Sequence, residues 1–352
     1  MAYTTIDDPT AHFNTSIWTG NGIAGREIIG VGFQPDFIWA KRRDDAGGQN
    51  IFDSSRGVTK RLEAHGAGAE ADDEAISAYN SDGFTMNTTT TGVNIVKATY
   101  AAWSWKANGG TTTTNDASAT SVGTIDSVYQ ANTTAGFSIV TWTGTGSAGT
   151  IAHGLGAVPA WYIVKGISKA DGWFVYHHKN TAAPETDFLR LDNTDATTDL
   201  AGIFNDTAPT STVFSVGTDN GVNESSETYI AYCFAEKQGY SKFGSYTGNG
   251  NVDGPFYYTG FKPAWLMIKN LASGESWEMW DNARDPDNVV TLRLKADDAG
   301  AAASGTFMDF VSNGVKHRNY SGGHNNNGES YIYMAFAASP FVTSNGTPTN
   351  AR

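Results

Sequence analysis

Cysteine is nearly missing: Cys233 is the single one in 352 residues, so no disulfide within the chain can staple the fold. Set in an apolar run, it reads as a small buried core residue. Basic residues are also in short supply. Lys and Arg number 23 against 36 Asp and Glu, a formal net charge of -13, and no basic cluster occurs. Nucleic acid, bound mainly through neutralised phosphates, is therefore not an expected partner. No apolar stretch reaches about 18 residues, so no helical membrane span is expected. Nor does a basic segment, an apolar segment and a cleavage site stand at the N-terminus, so no secretory signal is expected. Leucine is scarce, and helical periodicity with it. Glu70 to Tyr79 alone has helical composition and predicts a helix of one or two turns.

Glycine (40 residues), small polar residues and aromatics (12%) dominate instead, the composition of an all-β protein with many short strands and tight turns. One passage is written three times. Trp18-Thr19-Gly20-Asn21-Gly22 returns as Trp142-Thr143-Gly144-Thr145-Gly146 and as Tyr246-Thr247-Gly248-Asn249-Gly250, each with a proline 17 residues after its aromatic: Pro35, Pro159 and Pro263. A period of about a hundred residues is the size of a small domain, not of a solenoid unit. Each proline precedes an apolar run that ends in a lysine: Lys41, Lys165 and Lys269. Apolar at nearly every position, such a run predicts a strand buried on both faces, with the proline at its first position. A second aromatic strand closes each copy: Tyr100 to Trp105, Tyr229 to Phe234 and Tyr331 to Phe336. The expected fold is three tandem related β-sandwich domains of jelly-roll or lectin-like type, each with its own core. Their boundaries are 1–108, 109–240 (a linker plus the second repeat) and 241–352 (the third repeat and a C-terminal tail). Residues 107–121 are small and polar without periodicity, and read as the linker.

Few residues suggest chemistry. Among seven histidines only His177 and His178 are adjacent, and neighbours on a strand point to opposite faces, so they cannot share a metal. His153 and His324 fall in Gly-rich loops. No nucleophile elbow occurs, and Gly20-Asn21-Gly22 lacks the following helix of a phosphate cradle. No catalytic residue, metal or cofactor is expected. Paired carboxylates, the groups that glycan cleavage uses, occur at Asp7-Asp8, Glu70 to Glu74 and Asp297-Asp298; Glu70 to Glu74 reads as a solvated face, with weak cation binding the other option. The first and third copies share Asp-x-x-Arg (Asp53 with Arg56, Asp281 with Arg284), where the second has His177 and Asn180. A motif occurring twice reads as an architectural ion pair rather than a catalytic acid. Aromatics interleaved with Asn, Gly and Ser suit adaptable contact surfaces. The candidate binding residues are Trp277, Trp280 and, in the loop Asn319 to Gly328, Tyr320, His324, Asn325 and Asn326. For Trp277 and Trp280 a core role is the competing reading; Trp39, Trp161 and Trp265, at matched strand positions, belong to the core.

Taken together, the recurring aromatic-Thr-Gly-x-Gly, Gly-Phe-x-Pro with its strand, Asp53 to Lys60, Ser81-Asp82-Gly83-Phe84, Ala235 to Gly248 and the terminal Thr347 to Arg352 resemble a family of repeat-containing structural proteins of tailed bacteriophages. The likeness is greatest to those from phages of aquatic bacteria. What the resemblance implies is a virion component, assembled in the host cytoplasm, with no catalytic residue to carry over. The expected function is a non-enzymatic, tail-associated fibre, tip or adhesin component, whose loops contact a host cell-surface glycan or neighbouring virion proteins. A homo-oligomer in the particle is expected. A head decoration protein is the alternative, and a glycan depolymerase a third reading.

Overall fold

A computed structural model describes residues 3–87, 92–272 and 274–349. The end of the terminal passage noted above, Asn350 to Arg352, lies outside the described residues. The first third holds β1 (Phe13–Thr19), β2 (Arg26–Ile29), β3 (Phe37–Arg42), β4 (Gln49–Asp53), β5 (Lys60–Glu63), β6 (Ala71–Asp72), β7 (Ile76–Asn80), β8 (Gly83–Met86) and β9 (Thr99–Trp105). The second holds β10 (Thr113–Asn115), β11 (Ser127–Asn132), β12 (Phe137–Thr143), β13 (Gly149–Ala152), β14 (Trp161–Gly166), β15 (Trp173–His177), β16 (Asp187–Arg190), β17 (Thr198–Asp199), β18 (Val213–Val216) and β19 (Thr228–Phe234). The last holds β20 (Ser241–Thr247), β21 (Phe256–Tyr258), β22 (Phe261–Asn270), β23 (Glu278–Asp281), β24 (Val290–Lys295), β25 (Ala303–Val311), β26 (Gly314–His317) and β27 (Ser330–Pro340). The α-helices among the described residues are single turns of four residues.

The protein is all-β, built of antiparallel sheets in sandwich layers. A five-strand order, β1-β9-β3-β4-β5, recurs as β12-β19-β14-β15-β16 and as β20-β27-β22-β23-β24. Against each lies a smaller set: β2-β8-β7, β13-β18 and β21-β26-β25. In the third copy β24 also pairs with β25, which welds large and small sets into one curled sheet. Three clusters of buried side chains fill the space between large and small sets, one per third.

A fourth and larger cluster draws on all three thirds. The expectation of a core in each third is therefore incomplete, because the second face of every large sheet is buried against the other two. This is why β3, β14 and β22 are apolar at nearly every position: even residues of one run face the private core and odd residues the shared one. Where the closing strands meet, the matched residues Trp105, Phe234 and Phe336 form a triangle with ring centroids 6.1, 5.4 and 5.9 Å apart. Chain ends complete the ring between the third and first copies: the Tyr3 hydroxyl donates to the Gly260 carbonyl at 2.9 Å, and the Ser344 amide to Asp7 at 2.6 Å.

The three lysines predicted at strand ends are buried, and each crosses a seam. Lys41 Nζ donates to the Ala299 carbonyl at 2.7 Å, Lys165 to Ala67 at 3.3 Å and Lys269 to Thr194 at 3.0 Å. The direction is cyclic: first copy to third, second to first, third to second. Each lysine also holds a carbonyl six residues on in its own hairpin, at Gly47, Asp171 and Glu275. Burial pushes all three ammonium groups down to about 8.

Local expectations fare unevenly. Glu70 to Tyr79 is not helical; it supplies β6 and β7, with Asp73 accepting the Ala75 amide at 3.0 Å in a turn that competes with helix formation. Its charges divide: Glu70 pairs with Arg56 and Asp73 with Arg61, while Asp72, paired with Lys60, and Glu74 are exposed as a solvated face would be. Residues 107–121 are not a loose linker. Buried Asp36 accepts the amides of Ala107, Gly109 and Gly110 at 2.7–3.0 Å, β10 then extends the second large sheet, and a helical turn follows from 117 to 120. Pro35 and Pro159 sit two residues ahead of their strands, whereas Pro263 lies inside β22 at a register shift, where a missing N–H is tolerated. Asp82-Gly83 and Asn313-Gly314 make the expected tight turns into β8 and β26.

Two outcomes follow from the shared core. Phe336→Ala is expected to cost about 3–5 kcal/mol and to lower the stability of the whole chain in one urea transition; loss confined to a separate third-copy transition would contradict a shared core. For the lysines the sign is set by proton release. Below pH 8 both states carry the protons and the full burial penalty is present; between 8 and 10.5 the folded chain releases them first, so stability rises with pH. Above pH 10 the unfolded chain ionises tyrosines that burial holds protonated in the fold, among them Tyr162 and Tyr257, so stability falls. Urea midpoints are thus expected to peak between about pH 9 and 10, and replacing all three lysines by Met removes the rising limb.

Candidate functional site

The Asp-x-x-Arg elements are internal ion pairs at the seams. Asp53 ends β4, its Oδ1 accepts the amides of Ser55 and Arg56, and its Oδ2 takes Arg56 Nε. Asp281 ends β23 and repeats the arrangement with Ala283 and Arg284. Each carboxylate accepts one further bond across the seam: Tyr232 hydroxyl to Asp53 at 2.7 Å and Trp103 Nε1 to Asp281 at 3.0 Å. At the remaining seam His177 stands in for Asp. Its Nδ1 accepts the Lys179 amide at 3.0 Å and its Nε2–H donates to the Tyr333 carbonyl at 3.2 Å. Burial, with His178 beside it, pushes His177 down to about 3, so the ring is neutral. The residue matched to Trp103 and Tyr232 is Met334, which has no hydrogen to donate. The acceptor across the seam and its donor are thus lost together, while the turn-capping acceptor is kept.

Candidate binding residues separate into two groups. Trp277 is buried in the shared core, with Nε1 donating to the Arg190 carbonyl at 2.7 Å, as matched Trp173 does to Glu63 at 2.9 Å. Trp280 is buried in the private core of the third copy. Neither meets solvent, which corrects their assignment as contact residues: a bulky ring at these strand positions fills space between sheets. His324 and Asn325 are also buried. His324 bonds Glu278 through Nδ1 at 2.7 Å and Asn319 Oδ1 through Nε2 at 2.6 Å. Tyr320 and Asn326 are exposed, Tyr320 to 65%.

Asn325 has a role that also appears in the other copies. Its Oδ1 accepts the Asn249 amide at 2.9 Å, as Asn223 accepts Thr145 at 2.9 Å and Asn94 accepts Asn21 at 3.1 Å. These bonds hold the aromatic-Thr-Gly-x-Gly turn, whose first glycine packs against the opposite loop. A Cβ on Gly20, Gly144 or Gly248 would lie 2.0, 2.2 or 2.1 Å from a carbonyl oxygen of Ile95, Glu224 or Asn326. The signature aromatic stacks on the first tyrosine of the closing strand at 5.0–5.5 Å: Trp18 on Tyr100, Trp142 on Tyr229, Tyr246 on Tyr331. A readable signal existed. Gly92-Val93-Asn94, Gly221-Val222-Asn223 and Gly323-His324-Asn325 all place Asn six residues before that tyrosine.

The same framework aims three matched side chains outward at each loop tip, five residues after the signature aromatic and five and four before the tyrosine. In the first copy they are Ile23, Ile95 and Val96, exposed to 62%, 37% and 59%. In the second they are Ser147, Glu224 and Ser225, and in the third Asn251, Asn326 and Asn327. One scaffold therefore carries an aliphatic tip, a hydroxyl and acid tip, and an all-amide tip. Of these positions the sequence singled out only Asn326; the rest are identified by the frame that the copies share.

Two clefts lie along the seams. One of about 430 Å³ is lined by Arg56, Glu70, Asp126 and the hydroxyls of Thr141, Thr143 and Thr228; another of about 570 Å³ by Val158, His178, Lys179, Glu236 and Lys242. Their charges are largely spent on each other, Arg56 on Asp53 and Glu70, Lys242 on Glu236. Among the described residues no three His, Cys, Asp or Glu side chains gather as for a metal, and no helix is long and apolar enough to cross a membrane. Cys233 is buried with its thiol pushed up, as expected of a core residue.

A family model described as Domain of unknown function (DUF7483) matches residues 8–340. No curated protein matches the chain.

The compensated seam makes a prediction. His177→Asp alone sets a carboxylate against Met334 without an arginine and is expected to cost about 3 kcal/mol or more. Adding Asn180→Arg and Met334→Tyr rebuilds the pattern of the other seams and is expected to restore most of the loss in urea titrations. A triple variant no more stable than the single one would show that the seams are not equivalent.

Proposed function

The chain belongs to the DUF7483 family over residues 8–340, and we propose that it is a non-enzymatic structural protein of a phage particle, carried on the tail, where its loop tips contact a host surface or neighbouring subunits. The observation that carries this reading is the combination of one rigid, three-part frame with three chemically unlike tips. The buried acids and bases of the frame, Asp53, Arg56, Asp281, Arg284 and the seam lysines, are engaged in holding the copies together. A frame of this kind positions surfaces and spends its polar groups on doing so.

The resemblance to repeat-containing phage structural proteins supports the virion setting. The tips favour the tail over the alternative of a head decoration protein. A pseudo-threefold chain seated on a symmetric threefold of a head lattice would meet three equal surfaces, and equal surfaces select like tips. Aliphatic, hydroxyl and all-amide tips instead suit an asymmetric setting with several contacts, where linked weak sites raise avidity by about 10² to 10⁴.

Gold-labelled antibody against the chain, viewed on intact particles and on emptied heads, tests the reading. Label on the tail together with binding of the purified chain to host cells is the expected result. Label confined to heads would replace the tail reading by decoration, and polysaccharide cleavage abolished by one carboxylate substitution would establish a depolymerase.

A further inference from the structure

We propose that the tip of the third copy is a carbohydrate-binding site for neutral, polyhydroxylated saccharides, in which Tyr320, Asn251, Asn326 and Asn327 touch the sugar and buried His324 and Glu278 position the loop that presents them. The proposal rests on the reading of the chain as a surface-contacting protein and names the ligand class of one of its tips.

The argument starts from a departure in the third copy. At the centre of Gly-x-Asn the first and second copies have Val93 and Val222, buried apolar residues that satisfy the frame. The third has His324, and the facing strand position, Asn50 and Phe174 elsewhere, is Glu278. Replacing a well-packed valine by a buried histidine and a buried carboxylate costs stability unless every polar atom is bonded. Here the bonds run into the loop. His324 ties Asn319 to Glu278, and Arg293 holds the other Glu278 oxygen at 2.5 Å. Asn325 Nδ2 donates to the carbonyls of Asn251 and Asn319, both at 2.9 Å. The Tyr246 hydroxyl takes the His324 carbonyl at 2.6 Å, and Asn270 and Tyr331 take the Gly322 carbonyl at 2.7 and 2.9 Å. The Asn325, Tyr246 and Tyr331 bonds have counterparts elsewhere: Asn94 Nδ2 donates to the Ile23 carbonyl, Asn223 Nδ2 to those of Ser147 and Gly217, the Tyr229 hydroxyl to Asn220 and Trp18 Nε1 to Val93. Particular to the third copy are the chain from Arg293 through Glu278 and His324 to Asn319 and the Asn270 bond to Gly322, which hold the loop on both sides of Tyr320.

What this network presents is specific in kind. Asn251, Asn326 and Asn327 each offer amide donors and an acceptor, the pairing that sugar hydroxyls, donors and acceptors at once, can satisfy. Tyr320, next to Asn319 and exposed, gives an apolar face for the C–H side of a pyranose. A Cβ at Gly250 would lie 2.8 Å from Asn327 Cβ, so the two loops touch and their amides share one surface. Asp253 is paired with Lys316 at 2.6 Å, whereas Glu329, which accepts from Asn270 and Asn326, and Glu275, which lies against Gly322, leave the tip with negative charge nearby. A tip with amides, an exposed ring and carboxylates at its base suits a neutral saccharide better than an anion, which those carboxylates would repel, and preorganisation lowers the ordering cost of binding it.

Biolayer interferometry of the full chain against a panel of immobilised neutral oligosaccharides tests the site. The expected result is binding that Tyr320→Ala or Asn327→Ala weakens about tenfold or more, roughly 1.4 kcal/mol, while Ile23→Ser at the first tip leaves it unchanged. His324→Val combined with Glu278→Phe, the pair of the second copy, removes the buried groups together and is expected to keep thermal stability yet weaken binding severalfold. No oligosaccharide bound, or binding indifferent to Tyr320 and Asn327, overturns the site; binding indifferent to the His324→Val, Glu278→Phe pair at full stability overturns the positioning role. Sugar bound by a chain that labels heads alone would sink the tail reading and leave this one standing, and tail label without sugar binding would do the reverse.

Discussion

The structure depends on burying both faces of three large sheets at once. A single two-layer sandwich leaves the outer face of its large sheet in water, where alternate residues are polar. Here β3, β14 and β22 carry apolar side chains on both faces, so each sheet must cover its second face with something other than its own small set. Two neighbouring copies provide that cover. Trp105, Phe234 and Phe336 close the centre, and aromatic contacts of this kind add about 0.5–1.5 kcal/mol each beyond the area they bury. Once the second faces meet, the copies lose freedom to shift, because a displacement at one seam opens a void at another.

That closure creates a problem at the rims of the shared core, where hairpin carbonyls and indole N–H groups are drawn out of water. The seam lysines, with Gln49, Trp173 and Trp277, answer it in the same cyclic sense. A buried ammonium is costly, and its position among carbonyls explains why the cost is accepted: an alkyl group of equal size would strand two carbonyls at each seam. Divergence between copies is then allowed only in matched sets. His177 replaces an aspartate while keeping the turn-capping acceptor, and it does so opposite the one closing strand that presents Met334 instead of a donor.

This also defines what could be read from the chain. The all-β class, the recurring strands, the burial of Trp39, Trp161 and Trp265 and the ion-pair reading of Asp-x-x-Arg follow from patterns local to one copy. The shared core does not, since a strand apolar on every residue is compatible with any cover for its second face. Glu70 to Tyr79 misled because its composition is helical while its partners, Arg56, Lys60 and Arg61, lie on other elements. Residues 107–110 looked like linker because the side chain that orders them, Asp36, is some seventy residues earlier. For the candidate site, Tyr320 and Asn326 were legible as loop residues, the core reading of Trp277 and Trp280 was open from their strand positions, and Asn325 could be placed from the Gly-x-Asn spacing, but His324 could be placed inside only by its partners in space.

The same constraint explains why variation concentrates at the tips. The signature turn is held by backbone amides, by a buried Asn and by a glycine pressed against a carbonyl, none of which involves the outward side chains. Substitution at Ile23, Ser147 or Asn251 therefore leaves the frame's bonds intact, whereas substitution at Gly20, Asn94 or Trp105 does not. A fold that spends its polar and aromatic groups on closure gains surface positions that can change independently of stability. Three tips of one geometry and three chemistries are what such a division produces. All three tips are anchored by a buried Asn, but the third adds a charged pair beneath it, His324 where the others have valine and Glu278 where they have Asn50 and Phe174, and a buried polar chain that the frame does not require is most simply accounted for by what the tip must hold.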